Sequence, residues 1–275
     1  NRSNQNSYLC RMENLLLLSI EAALRAGEAV MQVYNTSFEV FVKEDQSPVT
    51  QADLKASDII KQTLAETGLP FVSEEDLPPD RSSFKKYWLV DPLDGTMEFV
   101  KRNGEFTVNI ALIDDKRPVL GVIYAPVTDM LWLADKSGAY KMENPKIELF
   151  QSGSSAWKDK LHPLPFAQHP HPFTVLVSRS HRTQEVDDYI DSKLRPSHPD
   201  LIFDSCGSSL KFARLAEGTA DVYVCYSKTK EWDTAAAEAI LRAAGGKVCR
   251  ISDEKPLEYS KKDYPNPPFT AWRLG

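Results

Sequence analysis

The most informative stretch of this sequence is Trp88-Leu89-Val90-Asp91-Pro92-Leu93-Asp94-Gly95-Thr96. Its apolar beginning predicts a buried β-strand leading into Asp91, and we expect Pro92 to end the strand because proline has no N–H to donate. Asp91 and Asp94 can then point into one cavity, with the Leu93 carbonyl facing the same way. Such oxygen ligands suit Mg²⁺. The alternative is an ordinary turn, since Pro and Asp-Gly are common turn formers.

The rest of the first half predicts an α+β layer around this strand. Apolar residues at helical spacing predict a helix over 12–34, and Thr50 predicts the N-cap of a second helix that ends near Glu66. Short runs of β-branched and aromatic residues predict the strands. These runs cover 71–72, 87–90, 107–113, 119–124, 130–134 and 139–142.

The second half predicts an α/β layer, because strands alternate with helices. The expected strands cover 175–177, 201–203, 220–224 and 247–251, and the expected helices cover 185–194, 208–217 and 233–244. The domain organisation that we expect is a flexible N-terminal tail (1–11), an N-terminal α+β subdomain (12–145) with most metal ligands, a connecting segment (146–172) and a C-terminal α/β subdomain (173–275) with Asp233 and nucleotide-binding elements. The active site is expected between the two subdomains.

Composition limits the classes of function. The 275 residues are 42% hydrophobic and 26% charged, which excludes a disordered chain. A net charge of -6 argues against binding to a nucleic acid polymer, but a small anionic substrate remains compatible because bound metal ions can reverse the field in a cleft. The four cysteines have no CxxC spacing, and no run is long enough to cross a membrane, so we expect a cytoplasmic protein. The oligomeric state stays open.

Several common phosphate-handling motifs are missing from the sequence. There is no Gly-x-Gly fingerprint, no GxxxxGK[ST] loop and no Cys-x5-Arg loop. Carboxylates and metal are what remain. Three further acidic positions are each explained structurally when taken alone: Glu74 lies in a run of acids typical of a solvated face, Asp233 suits a helix N-cap, and Asp53 completes a Thr-x-x-Asp capping box with Thr50.

Together the acidic segments match a known family in order and spacing. The sequence resembles the Mg²⁺-dependent, lithium-sensitive inositol monophosphatase superfamily in Pro48-Val49-Thr50-Gln51-Ala52-Asp53, Ser73-Glu74-Glu75-Asp76, Asp91-Pro92-Leu93-Asp94-Gly95-Thr96 and Trp232-Asp233-Thr234-Ala235-Ala236. Within it, the run from Glu98 to Asn109 is similar to the 3'(2'),5'-bisphosphate nucleotidases of the CysQ type. The resemblance implies an alternating α-β-α-β-α sandwich.

The resemblance also implies a multi-metal phosphomonoesterase. Two or three Mg²⁺ ions would be held by the carboxylates and one carbonyl at Glu74, Asp91, Leu93, Asp94 and Asp233. Asp53 and Thr96 would form a pair that orients and deprotonates the attacking water. The implied reaction removes the 3'-phosphate of adenosine 3',5'-bisphosphate to give AMP and phosphate, with 3'-phosphoadenylyl sulfate as a second substrate and a role in sulfur metabolism.

The implied substrate contacts extend beyond the acids. They comprise Glu74, Leu93, Asp94, Gly95, Thr96, Ser180, His181, Gly207, Ser208, Ser209, Lys211 and Asp233. Backbone N–H groups at the start of a helix and a lysine can both hold phosphate, although a plain helix cap explains Gly207–Lys211 equally well. For His181 the alternative is a surface or capping residue.

Two positions depart from the subgroup's usual pattern. Met97 stands where members commonly have Lys, which removes a cation near the cleft. The stretch Asp221-Val222-Tyr223-Val224-Cys225-Tyr226 lacks the Arg that often reaches the 5'-phosphate, so Lys228 or Lys230 is the candidate substitute.

Other functions remain as alternatives at this stage. An inositol monophosphatase or broad sugar phosphatase would use the same metal motifs, and a catalytically silent nucleotide- or metal-binding module is an alternative of another class. The histidines between His162 and His171 are separated by prolines, which favours a loop over a transition-metal site. The resemblance also admits peripheral association with the inner membrane, for which the acidic balance gives no reason.

Overall fold

The computed structural model describes residues 2–43, 48–151, 155–166, 171–180 and 182–273, with side chains described from Met12 onward. The helices are α1 Arg2–Tyr34, α2 Gln51–Leu64, α3 Thr96–Val100, α4 Ile147–Gln151, α5 Gln184–Tyr189, α6 Leu210–Glu217 and α7 Glu231–Ala243. The strands are β1 Val40–Val42, β2 Pro48–Thr50, β3 Phe71–Ser73, β4 Lys86–Asp94, β5 Thr107–Asp114, β6 Arg117–Ala125, β7 Met130–Asp135, β8 Gly138–Glu143, β9 His162–Pro163, β10 Thr174–Ser178, β11 Ile202–Cys206, β12 Val222–Cys225, β13 Lys247–Arg250 and β14 Phe269–Trp272.

Two sheets form the framework. The larger has the order β3-β4-β5-β6-β7-β8-β9, in which β3 and β4 are parallel and the other pairs are antiparallel. The smaller has the order β11-β10-β12-β14-β13, in which β10 runs parallel to both β11 and β12. β1 and β2 form a separate antiparallel hairpin.

Helices cover both sheets in alternating layers. On β4, Trp88 and Val90 pack with α1 and α2, whereas Tyr87 and Leu89 face the opposite core with α6 and α7. Such alternation, with both faces buried, is what the period of two along a strand requires. The far face of the small sheet packs on α5. The result is the α-β-α-β-α sandwich that the family resemblance implies.

Helix α7 is tied closely to the large sheet. A Cβ at Gly121 on β6 would lie 2.3 Å from the carbonyl oxygen of Ala236 on α7, so only glycine allows this approach. Because α7 carries Asp233 in its first turn, this packing fixes where that carboxylate lies relative to β4.

Several element boundaries differ from the predictions. Residues 2–11, expected as a flexible tail, belong to α1. β4 does not end at Pro92: it continues to Asp94, with an irregularity between Asp91 and Asp94 that spares the proline a ladder hydrogen bond. The connecting segment contains α4 and β9, and β1, β2 and β14 were not predicted. Among the described helices, none has the length and apolar character needed to cross a membrane.

Candidate active site

A cavity of about 560 Å³ is lined by residues from both halves of the chain. This volume is within the usual range for small-molecule sites. Most of the predicted site residues line it: Glu74, Asp91, Leu93, Asp94, Gly95, Thr96, Gly207, Ser208, Ser209, Lys211 and Asp233.

The strand register explains why the first acids meet. β3 and β4 are parallel neighbours with Ser73 opposite Val90, and the Glu74 N–H donates to the Val90 carbonyl at 3.1 Å. Glu74 and Asp91 therefore leave adjacent strands at the same sheet edge. The irregularity after Asp91 brings Asp94 to that edge as well.

The carboxylates of Glu74, Asp91, Asp94 and Asp233 form an acidic cluster whose members repel one another. Burial raises the pKa of Asp91 well above its ordinary value, and the negative charges of Glu74, Asp94 and Asp233 raise it further. Burial, followed by the charges of Asp94 and Glu74, raises the pKa of Asp233 in the same direction. Burial also raises the pKa of Asp94, and the positive charge of the nearby Lys211 ammonium opposes this rise.

Protein donors hold one oxygen of each of three aspartates. Asp91 Oδ1 accepts from the Leu93 N–H at 3.1 Å, and Asp233 Oδ2 accepts from the Lys230 N–H at 2.8 Å. Asp94 Oδ2 accepts from the Ser209 N–H at 2.6 Å and the Ser208 hydroxyl at 2.9 Å. The other oxygen of each aspartate is not used in these bonds.

The described part of the chain holds no group of three His, Cys, Asp or Glu side chains already arranged around one metal position. Glu74 Oε1 lies 2.9 Å from the Lys43 ammonium, which also pairs with Glu75. The donor set nevertheless fits Mg²⁺, since clustered carboxylate oxygens in a cavity are the ligands it prefers and a divalent cation would offset their repulsion.

Asp53 and Thr96 form the expected pair beneath the cavity. Thr96 Oγ1 lies 3.1 Å from Asp53 Oδ1 and 3.2 Å from the Leu93 carbonyl, so its single proton has two acceptors. Asp53 Oδ2 accepts from both the N–H and the hydroxyl of Thr50, and the bond from the N–H is part of the predicted capping box. Burial raises the pKa of Asp53, and the bonds from Thr50 and Thr96 oppose that rise.

The Gly207–Lys211 turn supports the acids from the other side of the cavity. Lys211 is buried, and its ammonium donates to the Ser208 carbonyl at 2.7 Å and the Cys206 carbonyl at 3.4 Å. The Ser209 hydroxyl donates to Asn109 Oδ1 at 2.9 Å. These groups therefore have protein partners in addition to facing the cavity.

The remaining predicted contacts lie elsewhere. The Ser180 hydroxyl does not line the cavity but donates to Glu98 Oε1 at 2.7 Å. His181 is outside the described residues. Of the two histidines that end the tract from His162 to His171, His162 lies in the edge strand β9. The Nε2 atom of His171 lies 3.1 Å from the Gly218 carbonyl oxygen.

Sequence reasoning missed three polar residues of the site. Glu98 is buried in the cavity wall, Asn109 donates to Asp94 at 3.2 Å, and Lys43 pairs with Glu74. Only Asn109 carried a usable signal, because a polar residue inside the apolar run 107–113 needs a buried partner.

A model of the inositol monophosphatase family matches residues 11–271. The chain belongs to this family. It is 43% identical over 258 residues to the 3'(2'),5'-bisphosphate nucleotidase CysQ of Shigella flexneri, covering 90% of this chain and 96% of the relative. The corresponding protein of Escherichia coli K12 is 42% identical over 257 residues, with the same coverage.

Solved structures support the same family fold. The crystal structure of CysQ from Bacteroides thetaiotaomicron, a bacterial family member, has a TM-score of 0.87 and 42% identity, covering 96% of this chain and 98% of that one. The suhB protein of Bartonella henselae has a TM-score of 0.71 at 24% identity, with 93% and 92% coverage, and shows the fold alone.

Proposed function

We propose that this chain is a 3'(2'),5'-bisphosphate nucleotidase that hydrolyses the 3'-phosphate of adenosine 3',5'-bisphosphate to give AMP and phosphate. The observation that carries the proposal is the convergence of Glu74, Asp91, Asp94 and Asp233 in one cavity beside the Thr96–Asp53 pair. The identity of 42–43% to CysQ proteins over about nine-tenths of the chain supports this substrate over an inositol phosphate.

Mg²⁺ is the cofactor that we propose, held by the Glu74, Asp91, Asp94 and Asp233 carboxylates and the Leu93 carbonyl. When bound, it supplies positive charge that stabilises the phosphoryl oxygens and makes water more acidic. The protein's part is to hold the ligands. The bonds to one oxygen of Asp91, Asp94 and Asp233 fix those carboxylates while leaving the second oxygen for the ion.

Asp53 and Thr96 form the proposed proton-handling pair. When Thr96 Oγ1 donates to Asp53 Oδ1, the lone pairs of the hydroxyl can accept a hydrogen bond from the attacking water. As the water proton moves to Thr96 Oγ1, the threonine proton passes to Asp53 Oδ1. The bonds from Thr50 to Asp53 Oδ2 fix the carboxylate so that Oδ1 faces Thr96. Water is thereby oriented toward the phosphorus by a threonine that a buried aspartate holds in one rotamer.

The second phosphate of the substrate requires positive charge at some distance from the acids. Lys211 and Lys228 are the lysines that line the cavity. Lys211 is buried and engaged by two carbonyls, whereas Lys228 is exposed and forms none of the ion pairs found among the described residues. We assign Lys228 to the 5'-phosphate, in place of the missing arginine.

The test is phosphate release from adenosine 3',5'-bisphosphate by metal-free protein, before and after Mg²⁺ is restored. We expect activity only with Mg²⁺. Thr96→Val should lose about 100-fold or more in kcat because it removes the proton-handling hydroxyl, while Thr96→Ser, which keeps it, should retain most of the rate. Equal rates for the two variants would contradict the role of Thr96, and no release with Mg²⁺ would contradict the proposed reaction.

A further inference from the structure

Glu98 is a cavity-wall carboxylate that the proposed metal site does not use. Its side chain is only 4% exposed and lines the same cavity as Thr96. Ser180, from the other half of the chain, donates to its Oε1 at 2.7 Å. Gly207 packs directly on it, since a Cβ at that position would lie 2.7 Å from Glu98 Cγ. Both halves of the chain therefore fix the position of this carboxylate.

Glu98 forms no ion pair among the described residues, although its charge acts on the nearby Arg179 guanidinium. None of the described Lys or Arg side chains lies within ion-pairing distance of Glu98, whereas the neighbouring Glu105 is paired with Arg179 at 2.6 Å. A buried carboxylate is costly unless its oxygens accept hydrogen bonds. A carboxylate that lines a phosphate-binding cavity repels phosphate and favours a neutral donor, such as a sugar hydroxyl.

We propose that Glu98 accepts a hydrogen bond from the ribose hydroxyl next to the scissile phosphate ester and so makes the enzyme select ribonucleotides. This inference rests on the proposed function, which puts the reacting phosphate beside Thr96. The sugar carbon adjacent to the phosphate ester carries the 2'-hydroxyl, the donor nearest to that phosphate. Glu98 faces the same cavity two residues beyond Thr96 along α3. The bond is charge-assisted, which makes it stronger than a neutral hydrogen bond.

The experiment compares adenosine 3',5'-bisphosphate with its 2'-deoxy analogue in wild-type protein and in Glu98→Ala. We expect wild type to prefer the ribonucleotide in kcat/KM by roughly 10- to 100-fold, the value of a hydrogen bond to a charged group. Glu98→Ala should lose most of its activity on the ribonucleotide and little on the deoxy analogue, so that the ratio falls close to one. Met97→Ala, the neighbouring change in the same cavity wall, should alter both substrates by the same factor and leave the ratio unchanged.

Each outcome supports or overturns the assignment. The assignment of Glu98 is overturned if Glu98→Ala keeps the wild-type ratio of kcat/KM for the ribonucleotide over the deoxy analogue. It is also overturned if wild type does not distinguish the two nucleotides. In both cases, phosphate release from the two nucleotides still supports the proposed function. Lack of release from either nucleotide by wild type refutes the proposed function itself. If Glu98→Ala does not fold, Glu98→Gln keeps the volume but removes the charge, and the ratio must then fall at least about threefold because charge-assisted bonds are stronger.

Discussion

Replacing Asp91 by Asn should stabilise the metal-free protein and at the same time abolish catalysis. Asp91 is 2% exposed, and burial, followed by the charges of three neighbouring carboxylates, raises its pKa. In the native protein, Asp91 Oδ1 accepts a hydrogen bond from the Leu93 N–H at 3.1 Å, and the asparagine amide oxygen can accept the same bond. The amide NH2 group takes the place of the other carboxylate oxygen, so that a donor replaces an atom repelled by the neighbouring carboxylates. Because the substitution removes a buried negative charge that three neighbouring carboxylates repel, we expect a gain of about 1–3 kcal/mol in the free energy of unfolding at neutral pH. Activity should fall roughly 1,000-fold, or about 4 kcal/mol of transition-state stabilisation, because a metal ligand is lost.

The assay combines denaturant unfolding in chelator with phosphate release in Mg²⁺. Asp76→Asn is the matched control, because Asp76 belongs to the acidic run of Glu74 and Glu75 but has a side chain that is 45% exposed and pairs with Lys61. It should change stability by less than about 0.5 kcal/mol and leave activity unchanged. Destabilisation of the metal-free protein by Asp91→Asn, or more than a tenth of the wild-type rate, would refute the reasoning.

Three further predictions follow from the same site. In chelator, the melting temperature should fall as pH rises from 5 to 8. The raised pKa values of Asp91 and Asp233 make the folded chain bind more protons than the unfolded chain above pH 3.8, and stability is lost as these protons leave. A flat or rising profile would contradict this expectation. At about 100 times its dissociation constant, Mg²⁺ should add about 2.7 kcal/mol, or roughly 5–10 °C, and more at pH 8 than at pH 5; no shift in a thermal melt would argue against the metal site. Lys228→Met should lower kcat/KM about tenfold for adenosine 3',5'-bisphosphate but not for adenosine 3'-monophosphate. Lys230 does not line the cavity, so Lys230→Met should leave the ratio of the two kcat/KM values unchanged. Equal losses on both substrates in Lys228→Met would contradict the assignment of Lys228.

Local signals in the sequence predict most helices and strands, whereas the layered sandwich and the full set of acidic site residues follow only from the resemblance to the family. The Thr50-x-x-Asp53 spacing predicts a capping box because its hydrogen bonds lie within one helical turn, and the structure has it. The β-branched run 107–113 predicts β5 for the same local reason. The parallel pairing of β3 with β4, which brings Glu74 to Asp91, is a long-range register that no local pattern encodes.

The parts that were not predicted depend on contacts between distant segments. Asp94 accepts from Ser208 and Ser209, which are more than a hundred residues away in the chain. Glu98 lies in a polar stretch that is typical of a solvent-exposed turn, and only the approach of Gly207 and Ser180 buries it. The continuation of β4 past Pro92 was missed because a strand irregularity accommodates a proline, and such an irregularity has no reliable local signature.

The most direct test of the central claim is a comparison of phosphate release from adenosine 3',5'-bisphosphate and inositol 1-phosphate at equal concentration in Mg²⁺. We predict a strong preference for the nucleotide, abolished by chelator and restored by added Mg²⁺. A preference for the inositol ester would contradict the proposed substrate while keeping the acidic metal site. Release that persists in chelator would contradict the metal-dependent chemistry itself.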